Sequence, residues 1–195
     1  MNETITQLFD RKSVRVFEDR IITEEEKTLI LDAAIQAPTA GNLHLYSILE
    51  ITDPAMKNKL ADSCDHQPFI AKAPLVLIFV ADACRLYDGF NLLECEVKSP
   101  GVGQLLLCIS DALIAAQNAV VAAQSLGIGS CYIGTSLKMW KNTGNFWIYR
   151  SIPYRSGWWC SAIPCSSNST ARNRPGIGVN SSSTKTPIGG WMRTG

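Results

Sequence analysis

Apolar residues fall at helical spacing at Ile5, Leu8 and Phe9, and Asp10 and Arg11 break that pattern before Val14 and Val16 alternate with Arg15. A short helix running into an extended basic segment is predicted. Thr23 followed by Glu24, Glu25 and Glu26 has the form of a capping box, in which the threonine hydroxyl accepts from the amide three residues on and Glu26 reaches back. Losing such a cap typically costs about 1 kcal/mol, so a helix is predicted to begin here. Its apolar face is Leu29, Ile30, Ala33, Ala34 and Ala37, and Pro38 ends it by pushing Ala37 out of helical geometry. Tyr46 to Ile51 reads as a strand, and Pro54 opens a short helix through Leu60. Leu75 to Ala81 is a continuous apolar run, the pattern of a central strand buried on both faces. Gly101 and Gly103 precede a long helix ending at Gly127, and Ile128 to Gly134 resembles another buried strand. Strands alternate with helices, which indicates a mixed α and β fold without deciding strand order.

The long helix runs from about Leu105 to Leu126 and is interrupted by Ser110, Asp111, Gln117, Asn118 and Gln124, so it reads as a buried helix and not a membrane span. No membrane partner is expected. The 195 residues, 46% of them hydrophobic, suit one well-cored domain, and a net charge of +1 offers no basic field for nucleic acid. Met1, Asn2, Glu3 and Thr4 carry neither a positive nor an apolar leader region, so a cytoplasmic location is expected. Seven cysteines without CxxC spacing favour buried reduced thiols over a metal site or a disulfide framework, with Cys160 and Cys165 the exceptions to watch.

Three segments carry candidate chemistry. In Arg11-Lys12-Ser13-Val14-Arg15, an extended backbone projects Arg11, Ser13 and Arg15 to one side, where two guanidinium forks and a hydroxyl can clamp a phosphate. A solvated basic edge strand explains the same residues. Pro38-Thr39-Ala40-Gly41-Asn42 is a small-residue loop whose amide can donate and accept against a flat heterocycle, or else a plain helix C-cap and turn. Gly127 to Gly134, reading Gly-Ile-Gly-Ser-Cys-Tyr-Ile-Gly, places glycines where backbone can approach a ligand, or where ordinary turns and bulges need them.

Taken in order, these pieces resemble the nitroreductase family of flavin oxidoreductases. The likeness lies in Arg-x-Ser-x-Arg-x-Phe from Arg11, in Ala-Pro-Thr-Ala-Gly-Asn ending at Asn42, and in Leu-Gly-Ile-Gly-Ser-Cys-Tyr-Ile-Gly ending at Gly134, after an alanine-rich helix. The resemblance covers residues 1–134. It implies an α+β, three-layer fold with a central mixed sheet flanked by helices, and a homodimer with the long helix at its interface. It also implies FMN bound between subunits, NADH or NADPH as co-substrate, and nitro compounds, quinones or related acceptors. By that likeness Arg11, Lys12, Ser13 and Arg15 hold the ribityl phosphate, Thr39, Asn42 and His44 line the isoalloxazine, and the backbone of Tyr132, Ile133 and Gly134 lies along the ring. The chemistry is then the cofactor's, and no separate catalytic array is expected. His44 stands where many members have an amide; it either donates to a flavin carbonyl or caps the loop. His66 and Gln67 either reach the flavin or form a surface loop. The poorly matching residues 84–100 fall among the loops over the flavin that set substrate choice in this family.

The composition changes at Gly134. Every Asp and Glu lies at or before Asp111, and every Trp lies at or after Trp140. In place of the family's acidic helix, its strand ending in Gly-Tyr-Pro and its basic arm, residues 135–195 run without helical or strand periodicity. The genetic code offers an explanation. Reading the last base of each codon with the first two of the next, Met139-Trp140-Lys141-Asn142-Thr143 permits Asn-Val-Glu-Lys-His, and Trp158-Trp159 gives Val. Continued with allowed codons, this reading restores the acidic helix, the strand and the basic arm. A single-base deletion near Gly134 is therefore expected, leaving a nitroreductase-like core at 1–134 and an out-of-frame, poorly ordered tail at 135–195 that lacks the central strand. The activity expected is that of the family; the alternatives are a catalytically impaired flavin-binding or dimerising remnant and a specialised relative acting on the flavin or one metabolite.

Overall fold

The computed structural model describes residues 2–96, 101–134 and 158–164. Helix α1, Glu3–Asp10, starts where the Asn2 side chain accepts from the Ile5 amide at 3.0 Å. Helix α2, Glu24–Ile35, carries the full capping box: the Glu26 amide donates to Thr23 Oγ1 at 3.2 Å, and the Thr23 amide donates to Glu26 Oε2 at 3.0 Å. The bond from the Thr23 amide, with that from the Arg20 side chain, holds the Glu26 carboxyl below the ordinary carboxylate range. Strand β1, Tyr46–Glu50, is followed by α3, Pro54–Ser63, and by the single turn α4, Phe69–Lys72. Strand β2, Leu77–Ala81, leads into α5, Cys84–Leu92, and then α6, Val102–Ser125, enters β3, Ser130–Tyr132. Strand β4 is Trp158–Pro164.

The sheet has the order β1-β2-β4-β3. All three ladders are antiparallel, with Tyr46 opposite Ala81, Leu77 opposite Ala162, and Tyr132 also opposite Ala162. Helices packed on this sheet make the fold α+β, as expected. Among the described residues, parallel pairing is confined to one bridge, Ser13 with Ser130. The reason is local: Val14 donates its amide to the Ser130 carbonyl at 3.0 Å, and the segment then leaves the sheet without adding a strand.

Five consecutive buried residues form β2, as its unbroken apolar sequence requires of a strand covered on both faces. One face meets α6 and α2. There Ala112, Ala115, Ala116, Ala119 and Ala123 are wholly inaccessible, as are Ile30, Ala34, Leu77 and Phe79. Alanines at these spacings keep the helix surface shallow, so α6 lies close to both neighbours. Asn118 donates to the Ala33 carbonyl at 3.1 Å, and the Tyr46 hydroxyl to the Ala34 carbonyl at 3.2 Å. The other face packs Ile78 and Val80 against Leu60, Cys64 and Ile70 of the α3 and α4 layer. Helix α6 is long and apolar enough to span a bilayer, and here its alanine face forms the core of the fold.

Several expectations shift in detail. Leu29, assigned to the buried face of α2, is 55% exposed, because Ile30, Ala34 and Ala37 already turn toward α6. Helix α5 occupies part of the segment read as loop, and α4 is too short for periodicity to reveal. Among the described residues Cys64, Cys95, Cys108 and Cys131 are free thiols, and all but Cys95 are buried. Cys165 lies outside the described residues.

The tail departs most. The expectation of poor order falls on 135–157 and 165–195, outside the described residues. The expected loss of the central strand is contradicted, since Trp158–Pro164 pairs with β2 on one side and β3 on the other. Backbone ladder bonds do not depend on side-chain identity, and the run Trp158-Trp159-Cys160-Ser161-Ala162-Ile163 holds no charged residue and no proline to interrupt a ladder.

Candidate functional site

The basic segment begins where α1 ends. Arg11 leaves the helix at φ −59° and ψ 127° while its amide still donates to the Gln7 carbonyl. Val14 then turns inward and is buried, so Ser13 and Arg15 project to the exposed side, as the alternation predicts. Lys12 is half-buried beside them. Arg15 does not stand free: its guanidinium carbon lies 5.8 Å from the Phe69 ring centroid, and Phe69 meets Phe17 edge to face at 6.2 Å. Arg11 is half-buried, and its Nη1 is buried with no hydrogen-bond partner among the described residues. Burying a guanidinium nitrogen without an acceptor is costly, so this atom marks where an anion would be accepted.

The glycine-rich strand is held against this segment. A Cβ built on Gly129 would lie 2.5 Å from Val14 Cγ2 and 2.9 Å from Val14 Cβ, so only glycine permits the contact that carries the Ser13–Ser130 bridge. Gly129→Ala is therefore expected to push the basic segment off β3, costing about 1–3 kcal/mol of stability and weakening any anion held there. Chemical denaturation together with a phosphate-ligand titration checks this, and unchanged values in both would refute it. Tyr132 sends its hydroxyl to Gln117 Oε1 at 3.2 Å, Ile133 is buried, and Gly134 is exposed. At Tyr132 the side chain is thus tied to α6, and at Gly134 only backbone is available.

The loop after α2 is strained. Gly41, Asn42 and His44 adopt φ of 58°, 56° and 50°, a left-handed path that residues with a Cβ disfavour. Internal bonds hold it: the Asn42 amide donates to the Thr39 carbonyl at 3.3 Å, and the His44 amide to Thr39 Oγ1 at 3.4 Å. His44 Nε2 lies 3.2 Å from Asn42 Oδ1, so the Nε2–H tautomer donates to the asparagine and leaves the Asn42 amino group facing outward. His44 thus makes a contact within its own loop. Asn42 is exposed and available, and Thr39 acts as an internal brace.

Below the loop lie Leu45, Ala81 and Cys108. Burial pushes the Cys108 thiol above the ordinary range; Gln104 beside it opposes the shift, and the charges of Asp111 and Asp82 add to it. A thiol raised on folding contributes stability that is complete below its unfolded pKa of about 8.5 and is lost as pH rises through the higher folded value. Denaturation curves above about pH 8.5 should accordingly fall less steeply for Cys108→Ala than for the parent, and equal slopes would exclude this contribution.

His66 and Gln67 lie in the turn that follows α3. Gln67 donates to the Cys64 carbonyl at 2.6 Å within its own turn, and the exposed His66 faces Asp62 at 3.9 Å. Asp111, which sequence reasoning treated only as a polar break in an apolar helix, is 2% exposed and binds the loop through both carboxylate oxygens. A lone acid within an alanine-rich helix was the available signal.

Within the single chain the three segments do not all meet among the described residues. Basic segment and glycine strand meet at Ser13 and Ser130, the latter level with Pro164, whereas the loop leads into Tyr46, level through Ala81 with Trp158. From Trp158 to Pro164 the strand rises about 20 Å.

The model of the nitroreductase family matches residues 8–139. An "FMN reductase (NADPH)" of Bacillus subtilis is 35% identical over 141 residues, covering 69% of this chain and 55% of its own length. An "oxygen-insensitive NADPH nitroreductase" of Salmonella typhimurium is 35% identical over 135 residues, with 69% and 54% covered. The crystal structure of nitroreductase A from Vibrio parahaemolyticus superposes with a TM-score of 0.77 at 25% identity, covering 87% of this chain and 70% of that one. The chain spans about half the length of these two sequence relatives. A family match over more than half the chain, agreeing with the fold and with the order of the three segments, leads to one conclusion: this chain belongs to the nitroreductase family.

Proposed function

We propose that the chain is, by descent, an FMN-dependent oxidoreductase taking reducing equivalents from NADH or NADPH and passing them to a nitro compound, quinone or related small acceptor. The observation that carries this reading is the buried, unpartnered Arg11 Nη1, set beside Ser13 and Arg15 where the basic segment is bridged to the glycine strand. Those residues fit a phosphomonoester: Arg11 supplies a guanidinium fork, Ser13 a neutral donor, and Arg15 a second fork braced on Phe69. Lys12 adds charge. FMN supplies the hydride and electron chemistry when bound. The protein's part is to hold the phosphate, to aim the Asn42 amino group and His44 at a flat ring, and to leave Gly134 and its neighbouring backbone open to close approach. The relatives named as an FMN reductase and a nitroreductase support this class of reaction.

The site is read as lying between two subunits. About 20 Å of strand separate the loop from the clamp within one protomer, further than a ribityl chain holds a phosphate from its ring. A second copy bringing its own loop to the clamp resolves the separation. Exposed apolar side chains support the pairing: Leu8 and Phe9 on α1, and Val102, Leu106 and Ile114 on α6. In this arrangement the core is cytoplasmic and has no membrane or nucleic-acid partner.

The second reading, a flavin-binding or dimerising remnant, is favoured by one observation: the family match ends at residue 139, immediately before the first tryptophan, Trp140, in a stretch that holds no acidic residue after Asp111. We infer that residues 135–195 are translated out of frame, so that the two units are a core at 1–134 and an altered tail.

Purified full-length protein tests both readings. Yellow colour bleached by NADH or NADPH, with turnover of a quinone, supports the enzyme; yellow colour without turnover supports the remnant; and failure to bind FMN at micromolar concentration rejects both. Sequencing the coding DNA tests the frame, since an intact open frame shared by closely related copies would sink that part.

A further inference from the structure

We propose that Asp111 is the positioning residue of the ring-side loop: its buried carboxylate brackets the loop at both ends and holds Asn42 and His44 in the orientation that a flavin ring would meet. Oδ1 accepts from the Ala40 amide at 3.0 Å and Oδ2 from the Leu45 amide at 3.3 Å, across 71 and 66 residues of sequence. Between those two anchors lie the three left-handed residues Gly41, Asn42 and His44. A backbone path of this kind persists only where its surroundings over-determine it. The bonds within the loop, from Asn42 and His44 to Thr39, move with the loop and do not fix it to anything else. The Leu45 carbonyl, which accepts from the Asp82 amide at 2.9 Å, ties the exit of the loop to β2, whereas the Ala40 entrance is tied to α6 through Asp111.

The acid suits this task better than an amide. Two convergent N–H groups require two acceptors, and a carboxylate supplies both, whereas an asparagine supplies one acceptor and turns a donor toward the other amide. The position at 2% exposure excludes water as an easy substitute. Asp111 therefore acts at a distance, through Asn42 and His44, and touches no ligand itself. This assignment rests on the flavin reading above for what the loop faces, but the brace itself is independent of it.

The test is Asp111→Asn in the full chain, read in two ways. Without ligand, hydrogen exchange at the Ala40 and Leu45 amides is expected to rise about tenfold, while the amides of β2, which report global opening, change less. With ligand, affinity for FMN and for riboflavin is expected to fall by the same factor, about tenfold, because the loop serves the ring and not the phosphate. Arg11→Ala provides the contrast, weakening FMN and sparing riboflavin. Unchanged exchange at Ala40 and Leu45 overturns the brace, and faster exchange with unaltered affinity for both flavins overturns the positioning role. Should the parent chain bind neither flavin, the functional reading fails while exchange still decides the brace. Should the variant not fold, exchange in the parent decides instead: Ala40 and Leu45 slower than Gly41 supports the assignment, and uniformly fast exchange across the loop refutes it.

Discussion

Arg11→Ala is expected to weaken FMN binding by roughly 10- to 100-fold while leaving riboflavin affinity within about twofold. The expectation follows from the state of the guanidinium. Its Nη1 is buried without a partner among the described residues, so the free protein carries a desolvated donor that a phosphate oxygen would satisfy. A hydrogen bond to a charged group contributes about 1.5–3 kcal/mol, and each 1.4 kcal/mol is tenfold in affinity. The same reasoning fixes the sign of the effect on the free protein. Truncation removes the unsatisfied nitrogen, so stability without ligand should fall little or rise slightly, unlike the usual result of deleting a half-buried side chain. Arg11→Lys should recover charge without the fork and fall between the two. Fluorescence titration of both flavins, with urea unfolding of the free proteins, checks each part. FMN affinity equal to that of the parent would remove Arg11 from the clamp.

Phe79→Ala is expected to cost about 3–5 kcal/mol, a large share of the about 5–15 kcal/mol by which a domain is typically stable. Among the described residues Phe79 is the largest wholly inaccessible side chain, and it sits at the centre of the sheet, opposite Ile48 on β1 and Cys160 on β4. Its ring fills the space above the alanine face of α6, where neighbours of that size cannot expand into the void. Leu93→Ala, at 73% exposure, should stay within about 0.5 kcal/mol. Urea unfolding measures both, and a Phe79→Ala cost below about 1 kcal/mol would mean that the core is not packed as described.

The strand β4 bears on both results. It fills a slot defined by its neighbours: β2 presents one unpaired edge and β3 another, and a strand between them satisfies both. Seven residues without charge suffice for that pairing. The sheet is therefore a tolerant part of the fold.

Local signals in the sequence determined most of the elements. The capping box set the start of α2 because it is made within four residues, and the unbroken run before Asp82 marked β2 because only a strand covered on both faces tolerates it. The alternation around Val14 placed Ser13 and Arg15 on one side for the same reason, since strand geometry has a period of two. Other features depended on contacts distant in sequence. Nothing local made Leu29 exposed and Ile30 buried; the approach of α6 chose between two adjacent apolar residues. Nothing local gave Asp111 a role, because its partners lie 66 and 71 residues away. The need for glycine at 129 appears only once Val14 stands against it, and the separation of clamp and loop only once strand register is fixed. Side-chain periodicity and caps act over one or two turns and are written in the chain, whereas desolvation, close approach and register arise when distant segments meet.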